Sequence, residues 1–212
     1  MTVHSSFPYQ LYLVISEKDC LGKDFLKVAE QSILGGVDII QLREKDTTTE
    51  NFLLKALKLK EITDKYNIPL IINDHFEVAE KVDSAGIHVG NNDISPSTLR
   101  NQQFFKDKMI GYSIEYLSQL ENEHTKLSDY LGISPIFSTN TKKDTVIEWG
   151  LDGLSRIRSL TKKPLVAIGN INVFNANEII KAGADSIAVV SVICAAQNPQ
   201  KAAFELKNEI LK

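Results

Sequence analysis

The sequence predicts a single (β/α)8 TIM barrel, an α/β domain covering residues 1–212, on three observations. Eight short runs rich in β-branched residues recur along the chain, at 11–16, 37–43, 69–74, 86–90, 109–114, 130–137, 164–169 and 186–191. Most are continuously apolar, as strands of a parallel sheet covered on both faces must be. Helical segments lie between most of them, and about 200 residues is enough for eight βα units at the short end of this architecture's range. A doubly wound open sheet is the rival arrangement of the same units.

In chain order, the first run leads into a helix at 24–34 and the second into a helix at 49–66. In the latter, Phe52, Leu53, Ala56, Leu57, Leu59 and Ile62 recur largely at spacings of three and four, with Lys55, Lys58 and Glu61 among the polar positions. Asp46, Thr47 and Thr48 precede Thr49 as capping residues, and Asn67 closes the helix before Pro69 opens the third run. Helices at 76–82 and 116–123 follow the third and fifth runs. Between 90 and 109 the pattern is less regular, and Ser95-Pro96-Ser97 suits the start of a short helix. Helices at 151–160, 173–181 and 199–211 complete the set. A weak internal echo supports repeated units: Gly35-Gly36-Val37-Asp38, Asp83-Ser84-Ala85-Gly86 and Ala182-Gly183-Ala184-Asp185 each end a helix and launch a strand.

With 43% hydrophobic and 24% charged residues, and only 11 Gly and 6 Pro, the chain is neither disordered nor of low complexity. The formal net charge of -3 supplies no general positive field for nucleic acid or an anionic membrane, so neither is an expected partner. Cys20 and Cys194 lie far apart in sequence and outside any metal-ligand spacing, which reads as small core or surface residues and not as a disulfide, a zinc site or a nucleophile. Residues 1–10 lack the basic and apolar regions of a signal peptide, and the longest apolar stretch, 186–196, is far shorter than the roughly 20 residues of a bilayer span. A cytoplasmic enzyme is expected, with a homodimer one option for its assembly.

In a parallel barrel, chemistry sits at the C-terminal ends of the strands, and here those ends are polar. Alternation after the second run points Gln41, Arg43 and Lys45 to one side. The third run ends in Asn73-Asp74, the fourth in His88-Val89-Gly90 with Asp93 just beyond, and the fifth carries Ser113. The sixth leads into Thr139, Thr141, Lys142 and Lys143. Two carboxylates, Asp74 and Asp93, beside Arg43, Lys45 and Lys142 suit Mg²⁺ and a polyphosphate. Taken singly, each charge equally suits a surface ion pair; their joint occurrence at successive strand ends favours a site. Gly169-Asn170 after the seventh run and Val190-Ser191 after the eighth occupy the usual place for a phosphate monoester in such barrels.

Read together, these residues resemble the thiamine phosphate synthase family over nearly the whole chain. Its Gln-x-Arg-x-Lys is matched by Gln41, Arg43 and Lys45, its Asn-Asp by Asn73 and Asp74, and its His-x-Gly and metal-binding Asp by His88, Gly90 and Asp93. Its Gly-x-Ser is matched by Gly111 and Ser113, and its Thr-x-Thr-Lys-Lys by Thr139, Thr141, Lys142 and Lys143. Asn170 stands where the family usually has a second Gly, and Asn tolerates positive φ better than most residues.

The resemblance implies a Mg²⁺-dependent transferase that joins hydroxymethylpyrimidine diphosphate to thiazole phosphate or its carboxylate, giving thiamine monophosphate and diphosphate. It implies that Asp74 and Asp93 hold the metal, that Arg43, Lys45, Asn73, Ser113 and Lys142 contact the diphosphate, and that Gln41 lies near the pyrimidine. Thr139 and Thr141 then orient the thiazole phosphate, whose phosphate rests on backbone groups around Gly169, Asn170, Val190 and Ser191. Diphosphate leaves first and the thiazole nitrogen captures the resulting cation, a course that needs leaving-group stabilisation and no protein nucleophile. The loop 138–149 is the candidate lid. The sequence leaves two alternatives open: a thiazole tautomerase using Glu115 as base, and a catalytically silent phosphate-binding barrel.

Overall fold

Strand β1 (Leu11–Ile15) pairs in parallel with both β2 (Ile39–Leu42) and β8 (Ser186–Val189), which closes the sheet on itself. Between them follow β3 (Leu70–Asn73), β4 (Gly86–Val89), β5 (Met109–Ile114), β6 (Tyr130–Ile133) and β7 (Leu165–Ile168), each parallel to its neighbours and in chain order around the barrel. The structure is a computed structural model that describes residues 7–138 and 147–212. The open-sheet alternative is therefore excluded by the β1–β8 pairing.

The strands read as unbroken apolar runs because both faces are buried. Leu11, Leu13, Ile15, Ile40, Leu42, Leu70 and Ile72 face outward into the main core beneath the helices. Tyr12, Val14, Ile39, Ile71, Tyr130, Val166 and Ala188 fill the barrel interior, with Phe7 and Tyr9 packed beneath them. The outer shell includes α1 (Phe25–Leu34), α2 (Thr49–Lys65), α3 (Phe76–Lys81), α4 (Pro96–Arg100), α5 (Glu123–Leu127), α6 (Gly150–Leu160), α7 (Ala176–Lys181), α8 (Ser191–Cys194) and α9 (Pro199–Ile210). Thr48 caps α2 by accepting the Asn51 N–H at 3.3 Å, and Ser95 caps α4 by accepting the Thr98 N–H at 3.2 Å.

The N-terminal rim of the barrel is pinned by a recurring device. Asp38, Asp129 and Asp185 stand just before β2, β6 and β8. Each donates its backbone N–H to a carbonyl on the preceding strand, of Leu11, Ile110 or Leu165, and accepts that same residue's N–H with its carboxylate, at 2.8, 2.7 and 2.8 Å. A cation then closes each carboxylate: Lys207 on Asp38, Arg100 on Asp129 and Arg158 on Asp185. Two of these aspartates belong to the sequence echo, which thus has a physical meaning at the strand starts.

Several expected elements shift. The helix expected at 116–123 is a 3-10 turn, Leu117–Glu121, followed by α5, because Asn122 takes an extended backbone (φ -75, ψ 166) and its side chain caps the new helix at Thr125. The helix expected from 173 starts at Ala176, since Asn172 and Asn175 trade side-chain bonds with local N–H groups and hold that stretch in a turn. The sixth strand stops at Ile133, before the cis Ser134-Pro135 peptide, instead of reaching 137. Helix α8 lies hidden in the apolar run 186–196. Cys20 and Cys194 are both buried free thiols, as expected of core residues, and Cys194 Sγ donates to the Val14 carbonyl at 3.8 Å.

Candidate active site at the strand C-termini

Two adjoining clefts open at the C-terminal mouth of the barrel. One is lined by Gln41, Arg43, Lys45, Asn73, Asp74, His88, Asp93 and Ser113 together with Tyr12 and Tyr130. The other is lined by Gly169, Asn170, Val190 and Ser191. Val14, Arg43, Ser134, Ile168 and Ala188 belong to both, so the clefts share a wall and Arg43 stands between them.

Alternation at the end of β2 has the expected result. Gln41, Arg43 and Lys45 enter the first cleft, while Leu42 joins the outer core and Glu44 turns back to Lys55 on α2 at 2.8 Å. Asp74 follows β3 with a left-handed backbone (φ 61) and meets Lys45 at 3.3 Å. Its carboxyl also shares a hydrogen bond with Asp93. Asp93 in turn is set by the Gly90 N–H, which donates to its Oδ2 at 2.8 Å. Burial, together with the hydrogen bond and charge of Asp93, pushes the Asp74 carboxyl up to about 6, against the pull of Lys45. Two adjoining carboxylates at a semi-buried mouth call for a proton or a cation between them, and as oxygen donors they suit Mg²⁺, which completes its shell with water and phosphate oxygens.

In the second cleft, Gly169 (φ 123) and Asn170 (φ 51) are consecutive left-handed residues. A Cβ on Gly169 would sit 2.7 Å from Pro135 Cβ and 2.9 Å from the Ile136 nitrogen, so only glycine fits. Asn170 adopts the positive φ that its side chain makes tolerable, and its carbonyl accepts Asn175 Nδ2 at 3.1 Å. Val190 and Ser191 open α8 on the facing side.

Glu115 lines neither cleft. Asn91 Nδ2 donates to its Oε2 at 2.6 Å, and Asn91 is itself held by Tyr112 and Gln119. Thr139, Thr141, Lys142, Lys143 and most of the candidate lid lie outside the described residues. Sequence reasoning left Tyr12 and Tyr130 out of the site, although both line the first cleft. Asp19 and Ser134, which line the second, were also missed.

Closed parallel barrel and two-chambered mouth together define a (β/α)8-barrel enzyme. The family model described as thiamine monophosphate synthase matches residues 11–193. The chain is 44% identical over 201 residues to a thiamine-phosphate synthase of Albidiferax ferrireducens, covering 95% of this chain and 91% of that protein. It is 41% identical over 185 residues to one of Clostridium botulinum, covering 87% and 90%. Among solved structures, the thiamine phosphate pyrophosphorylase of Pyrococcus furiosus superposes with a TM-score of 0.85 at 30% identity, covering 96% of both chains. The chain belongs to the thiamine monophosphate synthase family, and it is a transferase of thiamine biosynthesis acting on small molecules.

Proposed function

We propose that the chain joins hydroxymethylpyrimidine diphosphate to thiazole phosphate, giving thiamine monophosphate and diphosphate, with the two substrates divided between the two clefts. The single observation that carries this reading is the meeting of Asp74, Asp93 and Lys45 in a cleft that shares Arg43 with a second, glycine-turned cleft. In this reading Asp74 and Asp93 hold Mg²⁺, and Arg43, Lys45, Asn73, Ser113 and Lys142 bind the diphosphate. Bound Mg²⁺ would neutralise charge gathering on the leaving diphosphate.

The bond between the pyrimidinylmethyl carbon and the diphosphate oxygen breaks with its electron pair leaving on oxygen, and the thiazole nitrogen then supplies the pair for the new C–N bond. Arg43 and Lys45 stabilise the departing charge, Gln41 orients the pyrimidine, and no protein nucleophile is required. Backbone groups around Gly169, Asn170, Val190 and Ser191 seat the thiazole phosphate, with Thr139 and Thr141 orienting it. The Asn91-bound position of Glu115, which lines neither cleft, speaks against the tautomerase alternative, which needs a base in the cleft.

Among the described residues no helix is long and apolar enough to cross a membrane. Product analysis by mass spectrometry, with both substrates and either Mg²⁺ or EDTA, tests the proposal. Thiamine monophosphate is expected with Mg²⁺ alone. Its absence in both tubes, with thiazole phosphate still bound, would leave a silent binding barrel.

A further inference from the structure

A polar chain crosses the barrel interior along the lining of the first cleft. Gln41 Nε2 donates to Tyr12 Oη at 2.9 Å, Tyr12 and Tyr130 share a hydroxyl hydrogen bond at 2.9 Å, Tyr130 Oη meets His88 Nδ1 at 3.2 Å, and His88 Nε2 meets Ser113 Oγ at 3.0 Å. The five residues come from β2, β1, β6, β4 and β5. Tyr12 and Tyr130 are essentially sealed from solvent, at 1% and 0% exposure, so their hydroxyls depend on one another and on the chain.

The barrel is shaped around this chain. A Cβ on Gly111 would fall 2.2 Å from the Tyr130 ring and 2.4 Å from His88 Nδ1, and one on Gly132 would fall 2.9 Å from His88 Cε1. The His88 and Tyr130 rings stack in the space these glycines leave, with centroids 5.5 Å apart. Burial keeps both tyrosines protonated, each pushed above the ordinary tyrosine range.

We propose that Tyr12, Tyr130 and His88 are positioning residues that carry a hydrogen-bond chain of one polarity, from Gln41 to Ser113, and thereby fix the Ser113 hydroxyl as a donor to the diphosphate. The amide nitrogen of Gln41 can only donate, so Tyr12 accepts there and passes its proton to Tyr130. Tyr130 passes its own to His88 Nδ1. His88 is then the neutral tautomer with its proton on Nε2, which it gives to Ser113 Oγ. The serine proton is left to point into the cleft, and Gln41 Oε1 is left as an acceptor toward the pyrimidine. Hydroxyls alone could run in either direction; the amide at one end sets the direction for all. The assignment of a diphosphate to Ser113 rests on the reading under Proposed function, whereas the order of protons does not.

Two measurements on the full-length protein decide the matter separately. Two-bond ¹H–¹⁵N correlation of imidazole-labelled wild type, without substrate, should show His88 protonated at Nε2 and bare at Nδ1. A proton on Nδ1, or a mixture of tautomers, overturns the ordered chain, and this result needs no variant to fold. Kinetics then test its role: Tyr130→Phe should lower kcat about tenfold with KM little changed, and the Tyr130→Phe/Ser113→Ala double variant should be no slower than Ser113→Ala alone. Multiplying effects would mean that Tyr130 acts on the reaction otherwise than through Ser113 and would overturn the positioning role. A Ser113→Ala enzyme with unchanged kcat would remove the diphosphate contact and the positioning role with it, while the tautomer spectrum would still decide the proton order.

Discussion

The carboxyl of Asp74 is caught between a like charge, Asp93, and an opposite one, Lys45 at 3.3 Å. The burial and the neighbouring carboxylate outweigh the lysine, so Asp74 holds its proton to a higher pH than a free carboxyl, with its pKa raised from 3.8 to about 6. Such a group stabilises the native state fully only below its unfolded pKa, and that contribution is lost as pH rises through the folded value.

In EDTA, the wild type should therefore lose about 2 kcal/mol of stability between pH 4 and pH 7.5 from this group. Asp74→Asn should flatten that part of the curve, and Mg²⁺ should restore stability to the wild type alone. Chemical denaturation across the pH range checks both; identical curves for the two proteins would refute the carboxylate pair.

Asp93→Ala should leave the circular dichroism spectrum and melting curve native while reducing Mg²⁺-dependent turnover by at least about a hundredfold, because removing one of two metal-holding carboxylates weakens leaving-group stabilisation directly. Turnover measured against Mg²⁺ concentration is the assay.

Gly169→Ala should destabilise the fold by about 2 kcal/mol and weaken thiazole phosphate binding, since the new methyl meets Pro135 and the backbone at a φ of 123. Asn170→Gly should retain binding, because glycine accepts the same left-handed backbone. Calorimetric titration with thiazole phosphate separates the two variants.

Glu115→Gln should change the synthase rate less than about twofold, as the side chain lies outside both clefts and an amide can keep the bond to Asn91. A large loss of rate would return Glu115 to the chemistry.

Much of the cleft lining was legible because polar residues recur at the ends of successive apolar strands: Gln41, Arg43 and Lys45 follow from period-two alternation, and Asp74 and Asp93 from the rule for parallel barrels. Tyr12 and Tyr130 were not, since an aromatic residue inside a strand reads as core and its hydroxyl partner lies 118 residues away. The available signal was Gly111 and Gly132 within strands, where glycine often marks close approach by another group. Asn122 split the predicted fifth helix for a reason equally local and equally hard to weigh, its side chain being a better helix starter than a helix member.

Asp38, Asp129 and Asp185 each bind an adjacent strand by a two-bond ring and a cation at the end of the barrel remote from the clefts. Anchorage and chemistry thus occupy opposite poles. The mouth can tolerate mutually repelling groups such as Asp74 and Asp93 because closure of the barrel is secured elsewhere, and its βα loops form a region in which substrate preference can drift over generations without reopening the sheet.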